Sequence, residues 1–494
     1  MASDSRTRST NRRAFWVLAV IFLVAAALRI GFAQQKSLVL DEFHSYFHAT
    51  RASFDAFIET LTLDNHPPLS FAIIAGSRAL FGESEFALRL PAIIYGLLEL
   101  LLVLRLAKLI GLRRGRAFAV ALLAASSLHL DFSTQVRMYA LHALAVTGLI
   151  EGVLSTLSTP ASESARMART RVGLWLTVGM LNHYFFVQYA FWIAIAGLIA
   201  TRGEWKRLKP FVAPTLIAAV LCLPWYATSF REQLGHELPP GGANVGIVAL
   251  GEAFVHMFFL NVRLGGETLR LIYIGSGITA FCAAAVGLLL LFTGSRSKRE
   301  QTAPIFMGTI AFWVPLATTI TAAVFARAGF TWHYVLPSAA ALALLAAKAA
   351  DDSRLARGVV GVVILSALSL SVLNAKSPGT ENYRGAVQFV IDRLRPSDAV
   401  VSVEWQPPLF PQGQPWNYYA PRSKFETPPP RPLPMSGGFS LDDPAQLLQH
   451  ERVWVLSSYL PDKARLLRTL RRDFDEIESQ RFGFQPTILL FERR

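Results

Sequence analysis

Apolar runs of bilayer-crossing length constrain this chain more than any other feature. The first extends from Ala14 to Ala33, and comparable runs recur at intervals as far as about residue 374. A helix needs roughly 20 predominantly apolar residues to span the hydrocarbon core. Charged residues make up 17% of the chain, against about 25% in soluble domains, so the chain reads as a membrane protein. The net charge of +14 does not indicate nucleic acid, because no basic, aromatic-studded soluble module is visible. The Lys and Arg residues fall instead in short tracts between the apolar runs, which is the signal that orients spans with basic residues inside.

That rule yields a topology. Arg6, Arg8, Arg12 and Arg13 place the N-terminus in the cytoplasm. The first run is longer than the apolar core of a cleaved signal peptide, so it reads as an uncleaved span that exits near Gln34. Residues 34–85 then form an outer loop. Within it Pro68–Phe81 is apolar but too short to cross, as expected of an interfacial or re-entrant segment. The second span, about 86–106, ends at Lys108, Arg113, Arg114 and Arg116. Spans at about 117–132 and 138–157 meet outside near His129, Asp131 and Arg137. Residues 172–200, flanked by basic tracts, hold a tight pair of short spans with Asn182-His183-Tyr184 as the outer turn. A seventh span, 210–229, leads to an outer loop in which Val245–Leu260 lies along the interface. Four more follow at about 270–293, 304–326, from Trp332 to Lys348, and at 358–374. The expected fold is an α-helical polytopic membrane protein with about eleven transmembrane helices, basic at every inner loop. Cys222 and Cys282 lie inside predicted spans and supply neither a disulfide framework nor thiol-ligand spacing.

Residues 375–494 differ in character. Helix-like 383–394 leads to strand-like 399–403, and a Pro-rich stretch at about 407–434 admits neither helix nor central strand. Helix-like 441–450, strand-like 453–456, helix-like 461–472 and strand-like 487–491 follow. Such alternation predicts a small α/β domain, soluble and outside, after a membrane domain at 1–374.

Ionisable groups near membrane depth are paired or functional, and here they gather at one face. Asp41, Glu42, His66, Glu85, Arg89, Asp131, Arg137, His183 and His333 all fall at or near outer span ends. Asp41 and Glu42 are either a solvated interfacial pair or the source of a general base acting on a hydroxyl. His44 and His48, four apart and so on one face of a helix, join them as candidate ligands of a divalent metal, against a reading as interfacial histidines. Arg137 either snorkels to the headgroups or makes a bidentate contact to a lipid phosphate. Glu85 and Arg89 are spaced to pair along one helix. Trp332-His333-Tyr334 reads as an aromatic belt or as a place where His333 donates to a phosphate, Asn182-His183-Tyr184 reads equally as a belt and as a substrate site, and His66-Pro67-Pro68 is a rigid turn.

The motifs occur in a telling order: Asp41-Glu42 after the first span, His66-Pro67-Pro68-Leu69, Leu80 to Pro91, Gln135 to Leu141, then more loosely His183-Tyr184, Leu223-Pro224-Trp225, Tyr334 to Pro337 and Asn382 to Ala386. In that order they resemble bacterial glycosyltransferase family 39, with its relatives the protein O-mannosyltransferases and lipid A aminoarabinose transferases. The resemblance implies a C-type glycosyltransferase fold, a polyprenyl-phosphate-linked sugar as donor, and a lipid, glycan or protein acceptor at the outer face of the cell's inner membrane. It implies that Asp41 is the catalytic aspartate with Glu42 its neighbour, and that Arg137, with Tyr139 and His333, holds the lipid phosphate. His66, His183, Tyr184 and Tyr334 are its substrate-site candidates. The family often has Arg-Tyr where this chain has His333-Tyr334, which would make that contact pH-dependent. Two other classes compete on the residues alone. A lipid flippase or transporter would place its charges at the midplane between inverted halves. A metal-dependent hydrolase would carry a His-Glu-x-x-His helix. Neither pattern is visible.

Overall fold

The computed structural model describes residues 2–62, 64–158, 163–234, 267–294, 302–325, 332–376, 381–404, 411–423, 430–436, 440–458 and 465–494. They form two compact units: Met1–Phe32 with Ala52–Gly82 and Phe86–Asn374, and Ala33–Arg51 with Glu83–Glu85 and Ala375–Arg494.

Among the described residues, six helices are long and apolar enough to cross a membrane: Arg12–Gln35, Glu85–Leu109, Tyr139–Ser158, Trp205–Ala227, Ile274–Gly294 and Arg354–Asn374. The chain is a multi-pass membrane protein. In order, α1 is Ala2–Gln35, α2 Leu40–Ala49, α3 Phe54–Thr62, α4 Leu69–Phe81 and α5 Glu85–Leu109. The apolar stretch after Pro68 is a helix of 13 residues, about 20 Å at 1.5 Å per residue, short of a crossing as expected. The expected span at 117–132 is broken into α6 (Gly115–Ala125) and α7 (Ser127–Phe132). Ser126 takes a non-helical conformation and its hydroxyl accepts from His129 N–H at 3.2 Å, an N-cap that starts the second piece. α8 (Tyr139–Ser158) is buried nearly all round, the environment of a helix apolar on every face.

The pair expected within 172–200 is less short than its apolar run: α9 begins at Glu163 and ends at Asn182, and α10 is Phe185–Thr201. α11 (Trp205–Leu208), α12 (Val212–Ala227), α13 (Ser229–Leu234) and α14 (Glu267–Gly294) follow. The stretch Val245–Leu260 lies outside the described residues. α15 (Thr302–Gly308) and α16 (Val314–Phe325) are joined by a π-helical turn, Thr309–Trp313. A 3₁₀ turn, Trp332–Val335, precedes α17 (Ser338–Asp352), and α18 is Arg354–Lys376. Alanine accounts for much of α17, so α6 and α14 pack closely against it. Small residues are what allow helices to approach in the absence of a hydrophobic drive.

In the second unit, β1 (Ala399–Glu404) runs parallel to β4 (Arg452–Ser458), with Ala399 opposite Val453. β6 (Thr487–Arg493) is antiparallel to β4 and to β5 (Phe474–Arg481), giving the order β1-β4-β6-β5. α19 (Tyr383–Ile391) and α21 (Arg465–Asp473) accompany the sheet. The strands expected at 399–403, 453–456 and 487–491 are present. β5 is not legible in the sequence because, as an edge strand, it keeps most of its charged side chains in water. Two expectations are corrected. The Pro-rich stretch contains a helix, α20 (Gln414–Tyr419), in which Pro415 sits in the first turn, where its missing N–H is no loss. Residues 441–450 form a 3₁₀ turn, Pro444–Gln449, after a short ladder of β2 (Met435–Ser436) and β3 (Ser440–Leu441).

The α14–α17 approach is testable. A Cβ built on Gly287 would lie 1.7 Å from the Leu345 carbonyl oxygen, whereas one on Gly275 of the same helix meets nothing within 4 Å. Gly287→Ala should therefore destabilise the detergent-solubilised protein by at least about 2 kcal/mol, the scale of overpacking, while Gly275→Ala leaves the melting temperature unchanged.

Candidate active site

In the unit that holds the sheet, the acidic pair opens α2. Val39 is the N-cap residue and has no side-chain oxygen with which to cap. Backbone N–H groups at and just before this helix start are taken by other acceptors. Val39 N–H donates to Glu42 Oε2 at 3.0 Å, Leu38 N–H to the Tyr419 hydroxyl at 2.7 Å, and Leu40 N–H to Glu381 Oε2 at 2.6 Å. Glu42 is thus buried and engaged in capping, whereas Asp41 beside it is exposed to solvent. Phe43 lies edge-on to Tyr383, Tyr418 and Tyr419 at 5.6, 5.7 and 6.0 Å between ring centres. Tyr46 donates to Glu83 at 3.0 Å, and Arg422 pairs with the same carboxylate at 2.6 Å.

Glu85 is met by Arg384, whose Nε donates at 3.3 Å, and by the Tyr419 hydroxyl. A charge from the far end of the chain thus pairs with this carboxylate, a partner that helix spacing does not reveal. Burial raises the Tyr419 phenol well above its ordinary range, and Glu85 adds to the effect. The hydroxyl therefore stays protonated, donating to Glu85 while accepting from Leu38. Tyr46 is raised for the same reasons, burial first and then Glu83. His44 and His48 share one helix face with ring centres 5.2 Å apart. Of the carboxylates expected to bind a metal with them, Glu42 has one oxygen occupied by the Val39 amide.

In the helical unit, residues distant in sequence converge on a group of rings. Arg137, in the turn before α8, is buried, and its guanidinium donates to the Tyr139 hydroxyl at 3.3 Å. Burial argues against snorkelling, which would leave the head in water. Tyr139 stacks on His333 at 4.2 Å, and Phe132 sits edge-on to both. Tyr334 stacks on Phe185 at 4.0 Å. His183 lies among them, 6.0 Å from Tyr139, 6.2 Å from Tyr334 and 5.8 Å from His66. The Phe185 N–H donates to His183 Nδ1 at 3.1 Å, so the neutral ring carries its proton on Nε2. Burial, reinforced by His142, His66, His333 and Arg137, lowers the His183 pKa well below the ordinary histidine range and keeps it neutral. Tyr184 is engaged by Gln233 and by the Trp225 indole N–H, which donates to it at 3.0 Å.

Two members of this group escaped the sequence reading. Asp64 holds His66 at 3.0 Å through Nδ1, a partner only two residues upstream. His142 stacks on His183 at 4.8 Å. It lies three residues after Tyr139, one turn inside the span, whereas attention to span ends favours residues at the boundary.

A buried ionic chain braces α7, which leads into Arg137. Arg29 Nη2 meets His129 Nδ1 at 2.7 Å, His129 Nε2 meets Glu99 Oε2 at 3.0 Å, and Thr147 donates to Glu99 Oε1 at 2.9 Å. All four residues are buried. Breaking such a group by removing one partner strands a charge, at a cost of about 3–5 kcal/mol, whereas replacing the whole group by apolar residues is often neutral. Glu99→Ala should lower the melting temperature sharply, and the triple change Arg29→Met, Glu99→Leu, His129→Leu should recover most of the loss.

Residues 65–227 match the family model described as dolichyl-phosphate-mannose-protein mannosyltransferase. The match includes His66, Arg137 and His183, begins after Asp41 and Glu42, and ends before His333. None of the curated proteins matches the sequence. Among solved structures, the crystal structure of ArnT from Cupriavidus metallidurans in the apo state aligns over 97% of this chain and 98% of that one, with 13% identity and a TM-score of 0.61. The same protein bound to undecaprenyl phosphate aligns over 96% and 97%, again at 13% identity and 0.61. Likeness at that identity speaks for the fold: the chain has the C-type glycosyltransferase fold, and the resemblance carried by its motifs is borne out.

Proposed function

We propose that this protein is a membrane glycosyltransferase that moves a sugar from a polyprenyl-phosphate donor to an acceptor hydroxyl in one inverting displacement. Asp41 removes the acceptor's proton, the freed oxygen attacks the anomeric carbon, and the polyprenyl phosphate departs with the bonding electrons. Arg137, braced by Tyr139 and with His333 stacked behind it, takes the charge of the departing phosphate. His66, neutral His183 and Tyr334 face the sugar. In this reading the eleven-span topology holds, the N-terminus is cytoplasmic, and the sheet-bearing unit lies on the outer side of the inner membrane.

The observation that carries the proposal is the gathering of Arg137, Tyr139, His183, His66, His333 and Tyr334 around one group of rings in a chain of this fold. A buried arginine offers five donors in a planar fork suited to phosphate, and aromatic faces with a neutral imidazole donor suit a hydroxyl-rich sugar. The choice of Asp41 over Glu42 follows from capping: one carboxylate is buried on a backbone amide and the other is exposed.

The test is transfer from radiolabelled undecaprenyl-phosphate mannose, glucose or aminoarabinose to membrane extract, by the purified protein with and without chelator. Label should move to a new product with the wild type. A displacement across the bilayer without a covalent product would make the protein a flippase. Loss of turnover on chelation would restore a metal role for His44 and His48. General-base help is worth roughly 10²- to 10⁴-fold, so Asp41→Asn should fall by that factor and retain its melting temperature; undiminished turnover would remove the base assignment. Arg137→Ala should raise the donor KM as well as slow the reaction, and an unchanged KM would leave Arg137 a structural residue.

A further inference from the structure

The start of α2 is built from parts that its own sequence does not supply. An N-cap side chain normally satisfies one of the first free N–H groups of a helix, a role filled by Ser, Thr, Asp or Asn and not by Val. Here Val39 holds that position, and only Glu42 provides a local acceptor. In the first turn Leu40 N–H reaches the Glu381 carboxylate, 341 residues away, and just before the N-cap Leu38 N–H reaches the Tyr419 hydroxyl, 381 residues away.

Both acceptors are themselves held. The Tyr419 hydroxyl donates to Glu85 and meets Ser37 Oγ at 3.2 Å, and Glu85 is locked by Arg384. Arg384 also donates to the Lys36 carbonyl at 3.1 Å, and its backbone N–H reaches Ser37 Oγ at 3.2 Å. The backbone of Glu381 is bridged to residues 483 and 485, and Asn382 N–H donates to the Gln485 carbonyl at 3.0 Å. The segment from Lys36 to Leu40 is therefore clamped along its length by groups from the C-terminal part of the chain. Asp41 is the next residue, so the position of its backbone is set by these contacts.

We infer that Tyr419 and Glu381 are positioning residues for catalysis: Glu381 caps the first turn of α2, Tyr419 anchors the residue just before its N-cap, and together they fix where the Asp41 carboxylate stands. The inference rests on the reading of Asp41 as the base. In this view the sheet-bearing unit is part of the catalytic scaffold. A catalytic group displaced by about 1 Å costs on the order of 10²-fold in rate, without changing how tightly the donor binds elsewhere.

The experiment uses the full-length protein in detergent with two readouts. Hydrogen exchange followed by mass spectrometry reports the amides of residues 38–46, with the β4 peptide as an internal control of folding. Glu381→Ala should speed exchange at the start of α2 by about tenfold, the equivalent of losing one hydrogen bond worth about 1.4 kcal/mol, and leave β4 as in the wild type. Glu381→Gln, which keeps an oxygen acceptor, should restore both exchange and rate. Tyr419→Phe removes the other acceptor and should behave like Glu381→Ala. Turnover of undecaprenyl-phosphate mannose should fall about 10- to 100-fold in kcat, with KM changed by less than about twofold.

Should the buried Tyr419 change prevent folding, the half-buried Glu381 pair still decides. Unchanged exchange at residues 38–40 in Glu381→Ala overturns the capping role. Faster exchange with wild-type kcat, while Asp41→Asn is inactive, overturns the positioning role. If Asp41→Asn turns over normally, the base reading fails by itself, and the exchange measurement still judges the caps.

Discussion

No water is available in the hydrocarbon core to satisfy a polar group, so each must find its partner within the protein. Burial away from water makes the same demand of Arg29, Glu99 and His129. Their side chains form one continuous chain of contacts with Thr147, joining α1, α5, α7 and α8 in the interior of the bundle. A guanidinium and a carboxylate so placed fix which faces of these helices meet. They also fix α7, and with it the turn that delivers Arg137 and Tyr139.

The same accounting operates at α2. A helix that begins after Leu38-Val39 exposes a first-turn donor, Leu40 N–H, which Glu381 accepts, while Tyr419 holds Leu38 N–H just before the N-cap. The two acids of the opening motif divide accordingly. Glu42 turns back to cap, and Asp41 faces solvent. Adjacent carboxylates that look equivalent in the sequence thus acquire different duties from a difference in hydrogen bonding alone.

Much of the architecture was legible beforehand because its signals are local. Apolar length and basic tracts located the long helices, and β-branched runs located three of the four strands of the larger sheet. Readings failed where a local signal was overruled or absent. Ser126 interrupts a span because a hydroxyl can cap a new helix in place. β5 is charged because an edge strand can stay wet. Pro415 is tolerated because it stands in a first turn. Glu85 is met by Arg384, since helix spacing suggests a local pair and gives no sign of a partner from elsewhere in the chain.

The order of the motifs pointed by itself to this fold and to Arg137, His183, His66 and His333 as residues of interest. It could not have shown that Tyr139 and His333, 194 positions apart by their numbers, stack face to face, or that His142 belongs with them. Nor could it have revealed that the helix bearing Asp41 is capped by residues near the other end of the chain. Periodicity and composition encode which face of an element avoids water. Which buried donor meets which acceptor is settled only when distant segments are brought within about 3 Å of one another, and that is a property of the tertiary structure.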